Sequence, residues 1–330
     1  MVSAIGMKQR LRKEFSSIQD VFSLAIGQFT SADLSIFHEF DPPPTGGGHQ
    51  FLRAFWREAE SRGVRVENNI ISRTTRACLM NSFNFNFERL KKLRRSSVLF
   101  THRVDGPVGY YRGQDDGIDR RILEINQKVA DRTVFQSRYS LKKHLDFGME
   151  FREPVVIMNA ADLKIFNPQG RLEFSKERKI RLIASSWSDN VNKGAAVYQW
   201  LDENLDWKQF EFTFVGRSPI SFRNIRIVPP VASNGMADLF RIHDIYITAS
   251  RNDPCSNSLI EALSCGLPAV YLKSGGHSEI VGEAGYGFES AEEIPTMLVS
   301  LLDEYELIQE KISVPSIYDV TSAYLDVLGL

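Results

Sequence analysis

Short apolar runs alternate with segments of helical periodicity along most of this chain. The first apolar run, Leu34–Phe37, precedes a loop rich in Pro and Gly. In His49–Arg62, apolar residues then recur at a spacing of three to four, and Gly63 ends the pattern. This alternation continues as far as residue 288. It predicts parallel sheets with helices on both faces, because a crossover helix is the usual connection between parallel strands.

The alternation divides into two consecutive series. Strands are predicted at 34–37, 64–66, 97–101, 132–136 and 154–158, and then at 180–184, 211–215, 225–228, 245–248 and 269–271. We therefore expect two doubly wound, Rossmann-like domains facing a central cleft: residues 1–158, with a helical extension at 1–30, and residues 159–312. Residues 313–330 are predicted to form a last helix that returns to the first domain. Ligands of such sheets bind at the carboxyl ends of the strands.

Composition narrows the function classes. Forty Lys and Arg against 41 Asp and Glu give a net charge of −1, which disfavours a protein that coats nucleic acid. No apolar stretch approaches the roughly 18 residues of a membrane span, and the amino terminus lacks a secretory pattern. The three cysteines form no C-x-x-C pair and fit a reducing compartment. We expect a cytoplasmic protein without a nucleic-acid partner.

The most informative stretch is 250–281. Asp253 lies in a loop after a predicted strand, and Pro254 precedes a predicted helix over Ser256–Ser264. The backbone N–H groups at the start of that helix can bind an anion such as a phosphate. Glu261, on the same helix, can accept hydrogen bonds from vicinal hydroxyl groups such as those of a ribose.

These residues resemble the retaining glycosyltransferases of the GT-B fold, in the family 4-like group (glycosyl transferases group 1). Asp253 and Glu261, with seven residues between them, are similar to the E-x7-E motif of that family, and 261–270 and 274–281 resemble its continuation. Weaker similarities are Asn159–Asp162 with Phe166–Pro168 (a hinge), Trp187–Gly194 (a diphosphate-binding Lys193), Phe214–Arg217 and Gly46–Gly48.

The sequence differs from the family motif in two respects. The first acid is Asp253 rather than Glu, and no Arg precedes Lys193 at the usual distance, although Arg217 offers a replacement charge.

The resemblance implies transfer of a sugar from a nucleotide-diphosphate sugar, with retention and without a metal or other cofactor, to a glycan or glycolipid acceptor. It assigns catalysis to Asp253, Glu261 and Lys193. Lys193 and Glu261 would also bind the donor, together with Gly47, Gly48, Gly216, Arg217, Ser256, Asn257, Ser258 and Leu259.

On the acceptor side, His102 and Asp105 follow a predicted strand and are candidates for contact with the reacting sugar; each is otherwise an ordinary loop residue. The basic cluster Arg89–Arg95 is either a solvated helix face or a contact with an anionic membrane. Two alternatives to the transferase stay open: a non-catalytic nucleotide-sugar binder or scaffold, and a nucleotide-sugar epimerase on the same fold.

Overall fold

The computed structural model describes residues 30–41, 47–114, 116–188 and 190–330. Within these ranges the chain forms two six-stranded sheets, and all recorded strand pairs in them are parallel. The predicted extension at 1–30 lies outside the described residues apart from Thr30, so it stays a prediction. Each sheet is formed by one of the two series of strands expected from the sequence.

The first sheet has the strand order β2-β1-β3-β4-β5-β6. Its strands are β1 (Leu34–Phe37), β2 (Val66–Asn68), β3 (Ala77–Asn81), β4 (Leu99–Val104), β5 (Arg132–Phe135) and β6 (Pro154–Val156). Its helices are α1 (Gly47–Ser61), α2 (Phe87–Leu93), α3 (Val108–Arg112), α4 (Ile118–Val129) and α5 (Arg138–Asp146). The strand that follows β1 in the chain lies on one side of it, and β3 to β6 lie on the other side. The switch point of this sheet is therefore between β1 and β3. At such a switch point the loops diverge and leave room for a ligand.

The second sheet has the strand order β12-β11-β10-β7-β8-β9. Its strands are β7 (Ile180–Ser186), β8 (Phe210–Gly216), β9 (Arg226–Val228), β10 (Ile245–Thr248), β11 (Ala269–Leu272) and β12 (Gly285–Phe288). Its helices are α6 (Ala195–Asn204), α7 (Ser233–Arg241), α8 (Asn257–Ser264), α9 (His277–Val281), α10 (Ile294–Asp303) and α11 (Tyr305–Glu310). This is the order of a dinucleotide-binding sheet, with its switch point between β7 and β10.

Both faces of each sheet are covered by apolar side chains. In the second sheet, alternate strand residues such as Leu182 and Ile183 belong to two separate clusters on opposite faces, and both are completely buried. A strand buried on both faces is a continuous apolar run, which is why the sequence pattern located most strands well.

The last helix, α12 (Ile317–Leu328), packs on the first domain rather than on the second. The Tyr324 ring lies 5.7 Å from the Phe51 ring and 5.3 Å from the Phe55 ring, both on α1. The chain therefore crosses between the two domains twice, once near Asn159 and once before α12.

Some elements differ from the sequence prediction. The pattern analysis missed β3, a short buried strand with polar flanks, and β12. The β12 strand contains Gly285, where a Cβ would lie 1.9 Å from the Ala269 carbonyl oxygen, so the neighbouring strand excludes a side chain. Residues 83–86, between β3 and α2, form a turn rather than a strand, and α2 begins at Phe87.

Candidate active site

A cleft of about 500 Å³ lies between the carboxyl ends of the two sheets. Both switch points open into it. His38 follows β1 and Ser82 follows β3 on one wall, while Lys193 follows β7 and Asp253 follows β10 on the other. The topology thus explains why residues distant in sequence meet here.

Lys193 and Asp253 form an ion pair within the cleft. The Lys193 Nζ donates to Asp253 Oδ2 over 3.0 Å and lies 5.0 Å from the centre of the Tyr111 ring. Burial alone would raise the pKa of Asp253, but the Lys193 ammonium, His277 and the Cys255 backbone N–H together lower it below its ordinary value. Burial would likewise lower the pKa of Lys193, yet the Asp253 carboxylate raises it. Both groups are therefore charged at neutral pH.

Helix α8 begins beside this pair. Ser256 is its N-cap residue without a side-chain capping bond, and Ser256, Asn257 and Ser258 line the cleft. The Ser258 hydroxyl accepts a hydrogen bond from the Tyr246 hydroxyl over 2.9 Å, so its orientation is fixed from the core. The unpaired N–H groups and the helix dipole make this end of α8 electropositive, and Lys193 adds a full charge.

Glu261 projects from the second turn of α8 into the same cleft. Burial raises the pKa of this carboxyl group to about 8, and no basic group offsets that effect. The group is therefore largely protonated at neutral pH and can donate as well as accept a hydrogen bond.

Asp105 lies in a closed ring of four hydrogen-bonded side chains on the first-domain wall of the cleft. Arg103 Nη1 donates to Asp105 Oδ1 over 3.2 Å, and Arg103 Nη2 donates to Asn159 Oδ1 over 2.9 Å. Asn159 Nδ2 donates to Gln136 Oε1 over 2.9 Å, and Gln136 Nε2 donates to Asp105. An arginine can only donate hydrogen bonds, so its position fixes the orientation of both carboxamides and keeps Asp105 as the acceptor.

The ring extends to α8 through Asn257. Asn159 Nδ2 also donates to Asn257 Oδ1 over 3.1 Å, which turns the Asn257 amino group toward the start of α1. A Cβ at Gly47 would lie 2.3 Å from that nitrogen, whereas a Cβ at Gly48 would meet nothing within 4 Å. Gly47 and Gly48 both line the cleft, but only Gly47 is required by a close contact between the domains.

Other polar contacts hold the domains together across the cleft. Glu279 on α9 accepts hydrogen bonds from the backbone N–H groups of Arg138 (2.9 Å) and Tyr139 (2.7 Å) at the start of α5. The Tyr139 hydroxyl donates to Asn252 Oδ1 over 3.1 Å. Since Glu279 belongs to the 274–281 segment of the motif, this loop contacts the first domain directly.

The first domain contributes a histidine pair. His38 Nε2 and His49 Nδ1 are 3.0 Å apart, and Asn81 Nδ2 lies 3.1 Å from His38 Nδ1. Burial and the neighbouring His49 and Arg103 lower the pKa of His38 to about 3, and burial also lowers the pKa of His49. The pair is neutral at physiological pH and supplies hydrogen-bonding groups rather than charge.

His102 does not belong to the cleft, which corrects the sequence prediction. It lies within β4 rather than after it and is completely buried. Its Nε2 bonds the Ser82 carbonyl oxygen over 2.8 Å, and burial lowers its pKa to about 4. The strand extends three residues further than predicted, so the loop after it begins at Asp105, which does line the cleft.

Three predicted donor-binding residues also do not present a side chain to the cleft. Gly216 ends β8 with a φ of 120°, and a Cβ there would lie 1.8 Å from the Ser186 carbonyl oxygen; its glycine is explained by strand packing. Arg217 is exposed, and neither residue lines the cleft. Leu259 is completely buried in the core, so only its backbone faces the start of α8.

Several cleft residues escaped the sequence analysis. Tyr111 and Arg112 come from α3, which follows β4, and Arg112 places a second positive charge in the cleft wall. Both residues follow a predicted strand, as Asp105 does, so the same argument could have predicted them. His38 and His49 carried no local signal, because only the fold brings them together.

Only part of the predicted basic cluster Arg89–Arg95 is exposed. Arg89 is buried, Lys91 pairs with Glu88 over 2.8 Å, and Lys92 and Arg94 are exposed. Within the described residues, no helix combines the length and apolar character needed to cross a membrane. The same residues contain no group of three or more His, Cys, Asp or Glu arranged to hold a metal ion.

Comparison with known proteins agrees with this geometry. Residues 193–304, which contain Lys193, Asp253 and Glu261, match the family model of the glycosyl transferases group 1. Uncharacterized protein 356 of Sulfolobus islandicus rod-shaped virus 1 is 22% identical over 189 residues, which are 52% of this chain and 53% of that protein. The match thus spans about half the length of this curated relative.

Solved structures share the fold over nearly the whole chain. Sucrose-phosphate synthase from Thermosynechococcus elongatus matches with a TM-score of 0.66 and 13% identity, covering 91% of this chain and 95% of that one. HepE of Anabaena, in complex with UDP-glucose, matches with a TM-score of 0.65 and 14% identity, covering 90% and 99%. The chain therefore has the GT-B fold predicted from the sequence, and its residues 193–304 resemble the glycosyl transferases group 1.

Proposed function

We propose that this protein transfers a sugar from a nucleotide-diphosphate sugar to a glycan or lipid-linked acceptor. The observation that carries the proposal is the meeting of Lys193, Asp253, the start of α8 and Glu261 on one cleft wall, within the segment that matches the group 1 glycosyltransferases. The UDP-glucose complex of HepE supports a donor of this chemical class.

The diphosphate of the donor would lie between Lys193 and the first residues of α8. Negative charge develops on this group as the bond to the sugar breaks, and fixed positive charges stabilise it without reorganisation. Lys193 is already fixed by Asp253 and by the Tyr111 ring, and Arg112 faces the same space. Because these cations supply the charge, we expect turnover to be insensitive to a chelator.

Glu261 would bind the ribose hydroxyl groups, one turn further along α8. Its protonated carboxyl group can donate to one hydroxyl and accept from the other. Asp105, across the cleft, is the acid placed to contact the reacting sugar or the acceptor hydroxyl, since Arg103 and Gln136 donate hydrogen bonds to it and fix its position. We propose retention at the anomeric carbon, as the resemblance implies.

Donor cleavage in water tests the proposal without an identified acceptor. Nucleoside diphosphate release is measured for UDP-, ADP- and GDP-sugars, with and without EDTA, and the anomeric configuration of the released sugar is read by proton NMR before mutarotation. We expect one donor to be cleaved with retention, EDTA to have no effect, and Lys193→Met to lower the rate at least 100-fold.

Lys273→Met is the matched control, because Lys273 lies on the same domain in a surface ion pair with Glu289 (3.6 Å). Its rate should equal that of the unaltered protein. Binding of a nucleotide sugar with no cleavage, even with glycan acceptors added, would favour the non-catalytic binder. Cleavage with inversion would reject the retaining mechanism.

A further inference from the structure

A second groove, of about 890 Å³, opens beside the cleft on the first domain. It runs between α2 and α4, and Phe83 and Asn84 line both it and the cleft. The groove and the cleft therefore adjoin at these two residues.

The alternating segment Phe83–Phe87 forms the floor where the two spaces meet. Phe85 is buried, and its ring packs edge-on against Phe37 at 6.2 Å, which anchors the segment. Phe83 and Phe87 flank it with partly exposed rings, and both line the groove. The Asn84 carboxamide donates to the Glu39 carbonyl oxygen over 3.2 Å. The alternation therefore presents rings and amides to the groove from a fixed backbone.

The charges of the groove cancel. Its lining contains three acids and three bases: Glu39, Glu88, Glu124, Lys91, Arg121 and Lys128. Lys91 pairs with Glu88 over 2.8 Å, and Lys128 pairs with Glu124 over 3.5 Å. Since the acids offset the bases, the groove has no net attraction for an anionic polymer or an anionic membrane. Its polar groups instead suit a neutral ligand rich in hydroxyl groups.

We infer that this groove binds the sugar units of the acceptor that lie beyond the reacting unit, as an uncharged oligosaccharide. The apolar faces of pyranose rings would pack on Phe83 and Phe87, and their hydroxyl groups would bond to Asn84 and Arg121. This inference rests on the proposed transferase function and adds the class and length of the acceptor to it.

The test measures binding of maltose and cellobiose, and of the four- and six-unit members of the same two series. A tetrameric oligogalacturonate and vesicles containing one quarter phosphatidylglycerol serve as anionic probes. Hydrogen exchange at 83–93 and 118–128 locates the contact. In at least one neutral series, we expect the six-unit chain to bind at least ten-fold more tightly than the two-unit chain and to protect both segments.

Phe87→Ala and Arg121→Ala should each weaken the six-unit chain at least five-fold and leave the two-unit chain unchanged. Phe147→Ala, which removes an exposed ring at the end of α5, is the control and should change neither. Arg121 is exposed, so its variant remains informative if Phe87→Ala fails to fold.

Affinity that does not rise with chain length in either series would overturn the inference. So would stronger protection by either anionic probe, or unchanged affinity in the Arg121 variant. Thermal stabilisation by nucleoside diphosphates is measured on the same samples. If it is present while the length dependence is absent, only the groove assignment fails; if it is absent, the proposed transferase function fails as well.

Discussion

The Asn159 carboxamide donates to Asn257 Oδ1 over 3.1 Å. This bond joins the segment between the two domains to the first residue of α8. Asn159 takes its own orientation from Arg103, which is completely buried in β4. A residue in the core of the first domain thus sets the direction of a side chain on the wall of the second.

These hydrogen bonds from Arg103 through Asn159 to Asn257 predict the effect of replacing the Asn159 carboxamide by a carboxylate. In Asn159→Asp, the introduced carboxylate can pair with Arg103 but cannot donate to Asn257, so the Asn257 amide should turn and withdraw its amino group from the cleft. The carboxylate also cannot donate to Gln136, so the ring of hydrogen bonds opens. We expect nucleoside diphosphate affinity to fall about ten-fold, the value of one hydrogen bond to a charged group, and the free energy of unfolding to fall by about 1 to 3 kcal/mol.

Titration calorimetry and urea denaturation measure the two quantities. Asn204→Asp, at the surface end of α6, is the control for the added charge. An affinity equal to that of the unaltered protein would show that the orientation of Asn257 has no influence on the donor.

The two adjacent glycines at the start of α1 should respond differently to alanine. The new methyl group in Gly47→Ala would displace the Asn257 side chain, so we expect donor affinity to fall at least five-fold. Gly48→Ala meets open space and should raise the free energy of unfolding by about 0.5 kcal/mol, since alanine is the better helix former. Equal donor affinity in both variants would contradict this assignment.

Glu261 predicts a specific dependence of stability on pH. Its pKa is about 8 in the folded protein and about 4.3 in the unfolded chain. Between these values the folded state holds the extra proton, so stability falls as pH rises, by at most about 1.4 kcal/mol per pH unit. Glu261→Gln removes this loss, and its stability relative to the unaltered protein should therefore increase between pH 5 and pH 8.

Urea denaturation at pH 5, 6.5 and 8 measures this difference, with Glu306→Gln on exposed α11 as the control. A difference in unfolding free energy that is the same at all three pH values would mean that Glu261 ionises normally in the folded protein.

Alanine variants of Arg112 and Arg217 test which of the two arginines contributes positive charge near the diphosphate. Both are exposed, but only Arg112 lines the cleft. We expect Arg112→Ala to weaken nucleoside diphosphate binding about five- to ten-fold and to weaken nucleoside binding much less, because a nucleoside lacks the phosphates. Arg217→Ala should change neither affinity, as measured by calorimetry. The reverse ranking of the two variants would restore the role that the sequence suggested for Arg217.

The fold and one wall of the site could be predicted from the sequence because their signals are local. Strands buried on both faces are continuous apolar runs, and Asp253, the start of α8 and Glu261 lie within nine consecutive residues. The other wall required tertiary information. His38 and His49 meet across a loop, and Arg112 enters the cleft only through the path of the chain after β4.

The errors in predicting the positions of His102 and Gly216 also have local causes. His102 was placed after its strand because polar residues usually end an apolar run, whereas β4 contains the buried polar residues Thr101, His102 and Arg103. Arg103 donates to Asp105 and Asn159 within the ring, and His102 bonds the Ser82 carbonyl oxygen. The fold brings these partners together, so the local sequence does not reveal them. Gly216 resembled a ligand-facing glycine, but the neighbouring strand already requires glycine there.

Thermal unfolding with a panel of nucleoside diphosphates and nucleotide sugars shows whether the cleft is a nucleotide-sugar site, when it is measured on the unaltered protein and on Glu261→Ala. A ligand present at 100 times its dissociation constant stabilises the folded state by about 2.7 kcal/mol. We expect one nucleotide class to raise the Tm of the unaltered protein selectively, and we expect Glu261→Ala to lose this shift. An unaltered protein whose Tm no nucleotide changes, or a shift that Glu261→Ala retains in full, would contradict this expectation.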